Sequence, residues 1–141
     1  MRDRLELHRR SIAERDRRWA ATRAQMEARG LDCLVLWGWP AVWDFCTANA
    51  RYLSPIGGNA EFNVLVFPLK GEPTSFVMMP TFVDGWLAAQ DWVSDVRPRS
   101  GPWADSVVGR LKELGLAKGR SGMVGLAGPL APDGCVPHRV H

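Results

Sequence analysis

Three side chains near the end of the sequence have the types and spacing of a metal-ligand set. Cys135, His138 and His141 recur every three residues, and thiolate and imidazole groups are the ligands that zinc prefers. The surrounding residues 127–141 are rich in proline and glycine and supply neither a fourth ligand nor a rigid scaffold. We therefore expect no native zinc site there and only adventitious binding of nickel or zinc.

The other residues of catalytic type do not form a known catalytic motif. Asp84, Asp91 and Asp95 are close in sequence, but no histidine joins them. Residues 57–58 (GG) lack the lysine and following hydroxyl of a phosphate-binding loop, and no serine lies in a nucleophile elbow. Cys33 lies within an apolar run, where a thiol is usually inert packing. By itself, the chain is not expected to be an enzyme.

Tryptophan is the unusual feature of the composition, with seven in 141 residues. Trp37, Trp39 and Trp43 cluster around the end of one predicted strand and the turn after it. Tryptophan is favoured in ligand pockets and in protein interfaces, and the same side chains would equally cap a core beneath the first helix. Both interpretations remain open.

Length and composition indicate a globular domain with a core of its own. Hydrophobic residues make up 46% of the chain and charged residues 23%, as in ordinary soluble domains. No apolar run approaches the roughly 18 residues that a membrane span needs, and the charged N-terminus does not resemble a signal peptide. Three cysteines form no disulfide framework. We expect a reduced, cytoplasmic protein that has no membrane partner.

The positive charge is concentrated in one segment. Residues 1–29 hold nine arginines and five carboxylates, whereas the whole chain has a net charge of +3. A nucleic-acid interface more often spreads basic residues over a groove or sheet face. We interpret the segment as a solvated helix whose arginines pair with carboxylates one turn away. Nucleic-acid binding is the weakest of the hypotheses considered, and no nucleic-acid partner is expected.

The apolar pattern predicts a long N-terminal helix. Leu5, Ile12, Trp19 and Met26 recur every seven residues and give a narrow apolar stripe. Gly30 supplies the stop, because glycine enters the left-handed conformation cheaply.

The rest of the pattern predicts a mixed sheet. Strands are expected at residues 31–37, 50–53, 62–67, 74–79, 92–97 and 123–126, with a helical turn after Trp39, a helix capped by Thr81 and a helix from Pro102 to Gly115. A turn at residues 55–59 would join the second and third strands as an antiparallel hairpin. The order predicts an α/β fold of three layers (α/β/α), with a mixed sheet of about five to six strands and helices on both faces.

Several segments resemble the N-terminal domain of the creatinase/prolidase family. Residues 26–36 (MEARGLDCLVL) resemble its opening helix and strand, and residues 49–54 (NARYLS) resemble its N-x-R-Y-L-(T/S) segment. Residues 62–74 are similar to its following hairpin, and residues 120–125 (RSGMVG) to a later strand. The resemblance implies a creatinase/prolidase-like N-terminal domain at residues 1–126. Residues 127–141 are then an irregular tail, cut before a final element and a missing catalytic domain.

The resemblance also implies a function. The chain would be a non-catalytic N-terminal domain of a creatinase or Xaa-Pro peptidase-like metallohydrolase, supporting a homodimer and shaping the substrate pocket. Its partner would be a C-terminal catalytic domain of pita-bread fold that holds two divalent metal ions, with no cofactor or metal in this chain. Arg51, Tyr52 and Asn59 would lie near substrate, with Trp37 as an aromatic wall. Residues 54–59 (SPIGGN) depart from the family's Thr-Gly-aromatic pattern, which leaves the substrate class open.

One alternative belongs to a different class of protein. A stand-alone binding module would use the tryptophan cluster to hold a small molecule or a protein.

Overall fold

A computed structural model describes residues 10–39, 47–58 and 61–125. The helical turn expected after Trp39, together with Trp43, Asn59 and the tail at residues 127–141, lies outside the described residues. The elements in chain order are α1 (Ile12–Ala28), β1 (Cys33–Gly38), α2 (Ala48–Leu53), β2 (Asn63–Pro68), β3 (Thr74–Val77), a 3-10 turn (Pro80–Phe82), α3 (Val83–Ala89), β4 (Asp95–Pro98), α4 (Trp103–Glu113) and β5 (Ser121–Val124).

The five strands form one mixed sheet in the order β4-β3-β2-β1-β5. The β1–β2 and β2–β3 pairs are antiparallel, and the β1–β5 and β3–β4 pairs are parallel. The long central pair places Cys33 opposite Pro68 and Gly38 opposite Asn63. All six residues of β2 are buried, as expected for a strand covered by helices on both faces.

The core is divided by the sheet into two clusters. On one face, α1, α2 and α3 pack against a cluster that includes Trp19, Leu53 and Phe67. On the other face, α4 contributes Val107 and Leu111 to a second cluster. The predicted three-layer α/β/α fold with a mixed sheet is therefore confirmed.

The long helix ends where the sequence predicts. Gly30 has φ +61°, its N–H donates to Glu27 O at 3.0 Å, and the N–H of Leu31 donates to Met26 O at 2.9 Å. These two bonds form a Schellman motif, which satisfies the carbonyls at the end of the helix. Trp19 and Met26 are buried as expected, whereas Ile12 is exposed.

The predicted strand at residues 50–53 is wrong, and so is the hairpin built on it. The segment belongs to α2, in which Ala50 and Leu53 are buried while Tyr52 is exposed. A spacing of three residues places Ala50 and Leu53 on the same helical face, and so short a run does not distinguish this period from a strand's alternation. The chain therefore enters β2 from a helix.

Two smaller boundaries also differ from the sequence prediction. Thr81 lies inside the 3-10 turn and caps no helix, because α3 begins after Phe82 without a side-chain cap. The edge strand β4 begins at Asp95 and not at Trp92, which is 1% exposed. The Gln90 side chain accepts hydrogen bonds from the N–H groups of Trp92 and Val93, both at 2.8 Å, and thereby replaces the strand pairing expected there.

Phe67 provides a test of this core. Its ring is fully buried and meets Trp19 edge to face, with centroids 5.6 Å apart. We expect Phe67→Ala to lower the free energy of unfolding by about 3–5 kcal/mol, because the substitution leaves a cavity. Phe82, which is 39% exposed, is the matched control, and Phe82→Ala should cost about 0.5 kcal/mol. Urea denaturation measures both, and equal losses would contradict the packing described.

Candidate functional site

The C-terminal end of α2 carries Arg51 and Tyr52, two of the predicted site residues, and side chains from α1 and its N-terminal flank hold it. Arg10 Nη1 donates to Arg51 O at 2.8 Å, and Arg18 Nη1 donates to Tyr52 O at 3.1 Å. Trp19 Nε1 donates to Leu53 O at 2.9 Å. The last carbonyls of a helix lack partners within it and form the negative end of its dipole. The two arginines therefore donate hydrogen bonds to the last carbonyls of α2 and place positive charge at the negative end of its dipole.

An open cleft of about 310 Å³ lies between these two helices. Its lining residues are Arg10, Arg18, Thr47, Ala48, Arg51 and Tyr52. The Arg18 guanidinium lies 4.6 Å from the centroid of the Tyr52 ring, and Tyr52 is 43% exposed. The cleft thus combines three guanidinium groups with one aromatic wall.

Among the described residues, arginines outnumber carboxylates around the cleft. Glu14 accepts hydrogen bonds from Arg17 and from Arg18, and these bonds lower the pKa of its carboxyl to about 2. Burial lowers the pKa of the Arg10 guanidinium, and repulsion from Arg51 and Arg18 lowers it further. One carboxylate is shared by two arginines, while Arg10 lies among other cations.

Trp37 lies on the other side of the sheet. It is 5% exposed and belongs to the cluster under α4, whereas Leu53 of α2 belongs to the opposite cluster. The structure therefore brings Arg51 and Tyr52 together but does not place Trp37 beside them, because successive side chains of β1 point to opposite faces. Asn59 lies outside the described residues. That the four residues shape a substrate pocket stays a prediction.

The aromatic cluster around Trp37 includes residues that the sequence did not single out. Phe62 meets Trp37 edge to face, with centroids 6.4 Å apart, and stacks on Trp103 at 4.6 Å. Trp39 lies 6.1 Å from Phe62 and is 51% exposed. Phe62 precedes β2 and Trp103 begins α4, so only the sheet topology brings them to the end of β1. Trp37 is part of the core, Phe62 and Trp103 are partly buried against it, and Trp39 is exposed.

Glu61 is a buried acid that sequence reasoning missed. It is 7% exposed, and its Oε1 accepts a hydrogen bond from the N–H of Met78 at 3.1 Å. Burial raises the pKa of its carboxyl, although hydrogen bonds from Met78 and Trp86 oppose the change. The sequence carried no signal for this site, because Glu61 belongs to no recognisable motif and its burial depends on contacts with distant residues such as Met78.

The remaining candidates from the sequence have structural surroundings. Cys33 is fully buried, and burial raises the pKa of its thiol to about 12, in line with the inert role expected. Asp95 accepts hydrogen bonds from Thr74 and Arg97 at the edge of the sheet. Within residues 10–39, 47–58 and 61–125, no group of three or more His, Cys, Asp and Glu is placed to hold a metal ion. No helix in that same part of the chain is long and apolar enough to cross a bilayer.

The chain is similar in fold to a part of two proteins described as dipeptidases. An Xaa-Pro dipeptidase from Bacillus anthracis superposes with a TM-score of 0.56 at 14% identity, over 78% of this chain and 33% of that one. The dipeptidase PepE from Mycobacterium ulcerans gives a TM-score of 0.51 at 25% identity, over 74% of this chain and 27% of that one. The chain thus spans about a third or less of the length of these neighbours. No protein-family model and no curated protein sequence matches it.

Glu61 predicts a pH dependence of stability. Because its pKa is raised above the ordinary value of 4.5 in the folded state, the folded protein binds this proton more tightly than the unfolded chain. The contribution of Glu61 to stability is therefore fully present below the pKa of the unfolded chain. It is lost as the pH rises through the higher pKa of the folded protein. We expect Glu61→Gln, which keeps an oxygen acceptor for Met78, to raise the melting temperature at about pH 7.5 and to change it little at about pH 4.

The control for this prediction is Glu72→Gln, which removes the same charge from an exposed side chain. Thermal unfolding followed by circular dichroism measures both variants. An equal effect of Glu61→Gln at the two pH values would contradict the assignment of a buried carboxylate.

Trp19 tests how firmly α1 holds α2. In Trp19→Phe the carbonyl of Leu53 loses its donor in a buried position, and we expect a loss of about 1–3 kcal/mol. Trp39→Phe is the control, since Trp39 is 51% exposed and lies outside α1 and α2. Urea denaturation compares them, and an unchanged midpoint in Trp19→Phe would mean that this bond is dispensable.

Proposed function

We propose that this chain is a non-catalytic N-terminal domain of a creatinase or Xaa-Pro peptidase-like metallohydrolase. The observation that carries the proposal is the similarity of its mixed sheet and flanking helices to two dipeptidases, over 33% and 27% of their lengths. In the proposal, this domain supports a homodimer and shapes the substrate pocket.

Four exposed apolar side chains support the proposal that this domain contacts a partner. Met78 and Met79 follow β3, and Phe82 and Leu87 lie in the 3-10 turn and in α3; these four side chains are 37–47% exposed. Exposed apolar patches on soluble domains often mark interaction surfaces. In the proposal, these side chains contact a C-terminal catalytic domain of pita-bread fold.

The two divalent metal ions that the resemblance implies are assigned to that catalytic domain. The residues described here do not fit such a centre, because they contain no suitably placed group of three or more ligands. We propose a cytoplasmic location, because the three cysteines form no disulfide framework.

Within this proposal, the α2 end of the cleft faces substrate. Arg51 and Tyr52 line it together, and Asn59 is proposed as a further contact. Trp37 is nearly fully buried, so in this proposal it contributes by supporting Phe62, which it meets edge to face.

The alternative function, a stand-alone binding module, depends on one observation. Trp39 is 51% exposed at the edge of the aromatic cluster. Saturable quenching of tryptophan fluorescence by a small molecule, abolished in Trp39→Ala, would favour this alternative.

The first test of the proposal is the mass of the native polypeptide in its source cells, measured by immunoblot against this chain. We expect a product about three times as long as 141 residues, beyond the usual length of one domain. A product of 15.7 kDa would contradict the proposal.

A second test concerns the site residues in that full-length protein. We expect Arg51→Gln and Tyr52→Ala to lower kcat/KM for a dipeptide ending in proline by about tenfold each, which corresponds to about 1.4 kcal/mol. Arg29→Gln removes a charge at the far end of α1 and serves as the control. Unchanged kinetics in an active full-length enzyme would overturn the site assignment and leave the domain assignment standing.

A further inference from the structure

We propose that the cleft between α1 and α2 binds a small oxyanion, a carboxylate or a phosphate, through the guanidinium groups of Arg10 and Arg18. This inference does not depend on the proposed function, because it is drawn from the charge, the hydrogen-bond donors and the shape of the cleft. The occupant is a free small molecule that presents oxygen acceptors to the two arginines and an organic part to Tyr52.

Both arginines retain hydrogen-bond donors beyond those that cap α2. A guanidinium has five N–H donors. Arg10 uses Nη1 for the carbonyl of Arg51, and the described residues offer no acceptor to its Nε or Nη2. Arg18 uses Nε for Glu14 and Nη1 for Tyr52, and its Nη2 has no acceptor among the same residues. Capping of α2 therefore uses only some of the N–H donors of these two arginines.

The local charge favours an anion. The described residues provide no ion pair for Arg10, and Arg18 shares its carboxylate partner, Glu14, with Arg17. Repulsion from Arg51 and Arg18 acts on the Arg10 guanidinium, which is partly buried. An oxyanion between Arg10 and Arg18 replaces this repulsion with attraction, and guanidinium forks match the geometry of carboxylate and phosphate oxygens.

The two guanidinium groups are already held in position. Trp92 Nε1 donates to the carbonyl of Arg10 at 3.0 Å, and the Arg10 guanidinium lies 6.0 Å from the Trp92 ring centroid. The Arg18 guanidinium lies over Tyr52 at 4.6 Å and over Trp92 at 5.5 Å. Groups that are ordered before binding lose less conformational entropy when the ligand arrives.

The dimensions of the cleft suit a small organic molecule. Its volume of about 310 Å³ is at the lower end of the roughly 300–1,000 Å³ that is typical of small-molecule sites. Tyr52, which is 43% exposed, gives it an aromatic wall. An oxyanion with a short carbon skeleton fits both features.

The test is isothermal titration calorimetry of the 141-residue chain with inorganic phosphate and, separately, with citrate, at constant ionic strength in chloride. We expect saturable binding of at least one of the two. In Arg10→Gln the affinity should fall at least tenfold, because one of the two guanidinium groups is lost. Arg29→Gln, which removes an equal charge from the other end of α1, should bind as the parent does.

Arg10→Lys guards against a folding defect, since it keeps the charge and a donor for the carbonyl of Arg51. Circular dichroism confirms that each variant is folded, and Arg10→Lys should bind more weakly than the parent. Binding of citrate alone would identify a carboxylate ligand, and binding of phosphate alone a phosphate ligand. No saturable heat with either probe, or equal weakening in Arg29→Gln and Arg10→Gln, would overturn the proposal. The mass of the native polypeptide does not bear on these outcomes.

Discussion

The contact of Trp19 with α2 and the sheet is the interaction on which the rest of the described structure depends. Its indole N–H donates to Leu53 O, and its ring meets Phe67 edge to face. One side chain thus joins α1, α2 and β2. Because α1 is strongly charged and has only a narrow apolar stripe, its docking relies on the burial of Trp19 and Met26. Without this contact, Arg10 and Arg18 would not reach the end of α2.

The arginines of α1 stabilise the packing of the helix in addition to contributing charge. The guanidinium groups of Arg15 and Arg23 lie 5.0 and 5.5 Å from the centroid of the Trp19 ring. Such stacking covers apolar surface while the charge stays in contact with water. The solvated helix expected from the sequence therefore does have pairs one turn apart, as Glu14 with Arg18 shows. It also uses arginine to cover the aromatic core and to cap a neighbouring helix, which sequence spacing does not reveal.

The layered α/β fold followed from local patterns, since continuous apolar runs marked β1 and β2 and glycine marked the end of α1. The candidate site was predicted less completely. Arg51 and Tyr52 were identified from a resemblance and lie together in the cleft, yet they occupy a helix and not the strand expected. Trp37 lies across the sheet from them. Arg10 and Arg18 were treated only as part of a charged segment, and Glu61 gave no signal at all.

The sequence by itself determined which segments are apolar, where α1 ends and where its charge is concentrated, because these properties depend on residues close together along the chain. The tertiary structure decided which charges meet. Arg10 and Arg51 are 41 positions apart, and Arg10 and Trp92 are 82 apart. Such contacts depend on how α1 crosses the sheet, which is fixed by burial of Trp19 and Met26 against distant strands. The cleft is therefore a product of packing, and no local pattern predicts it.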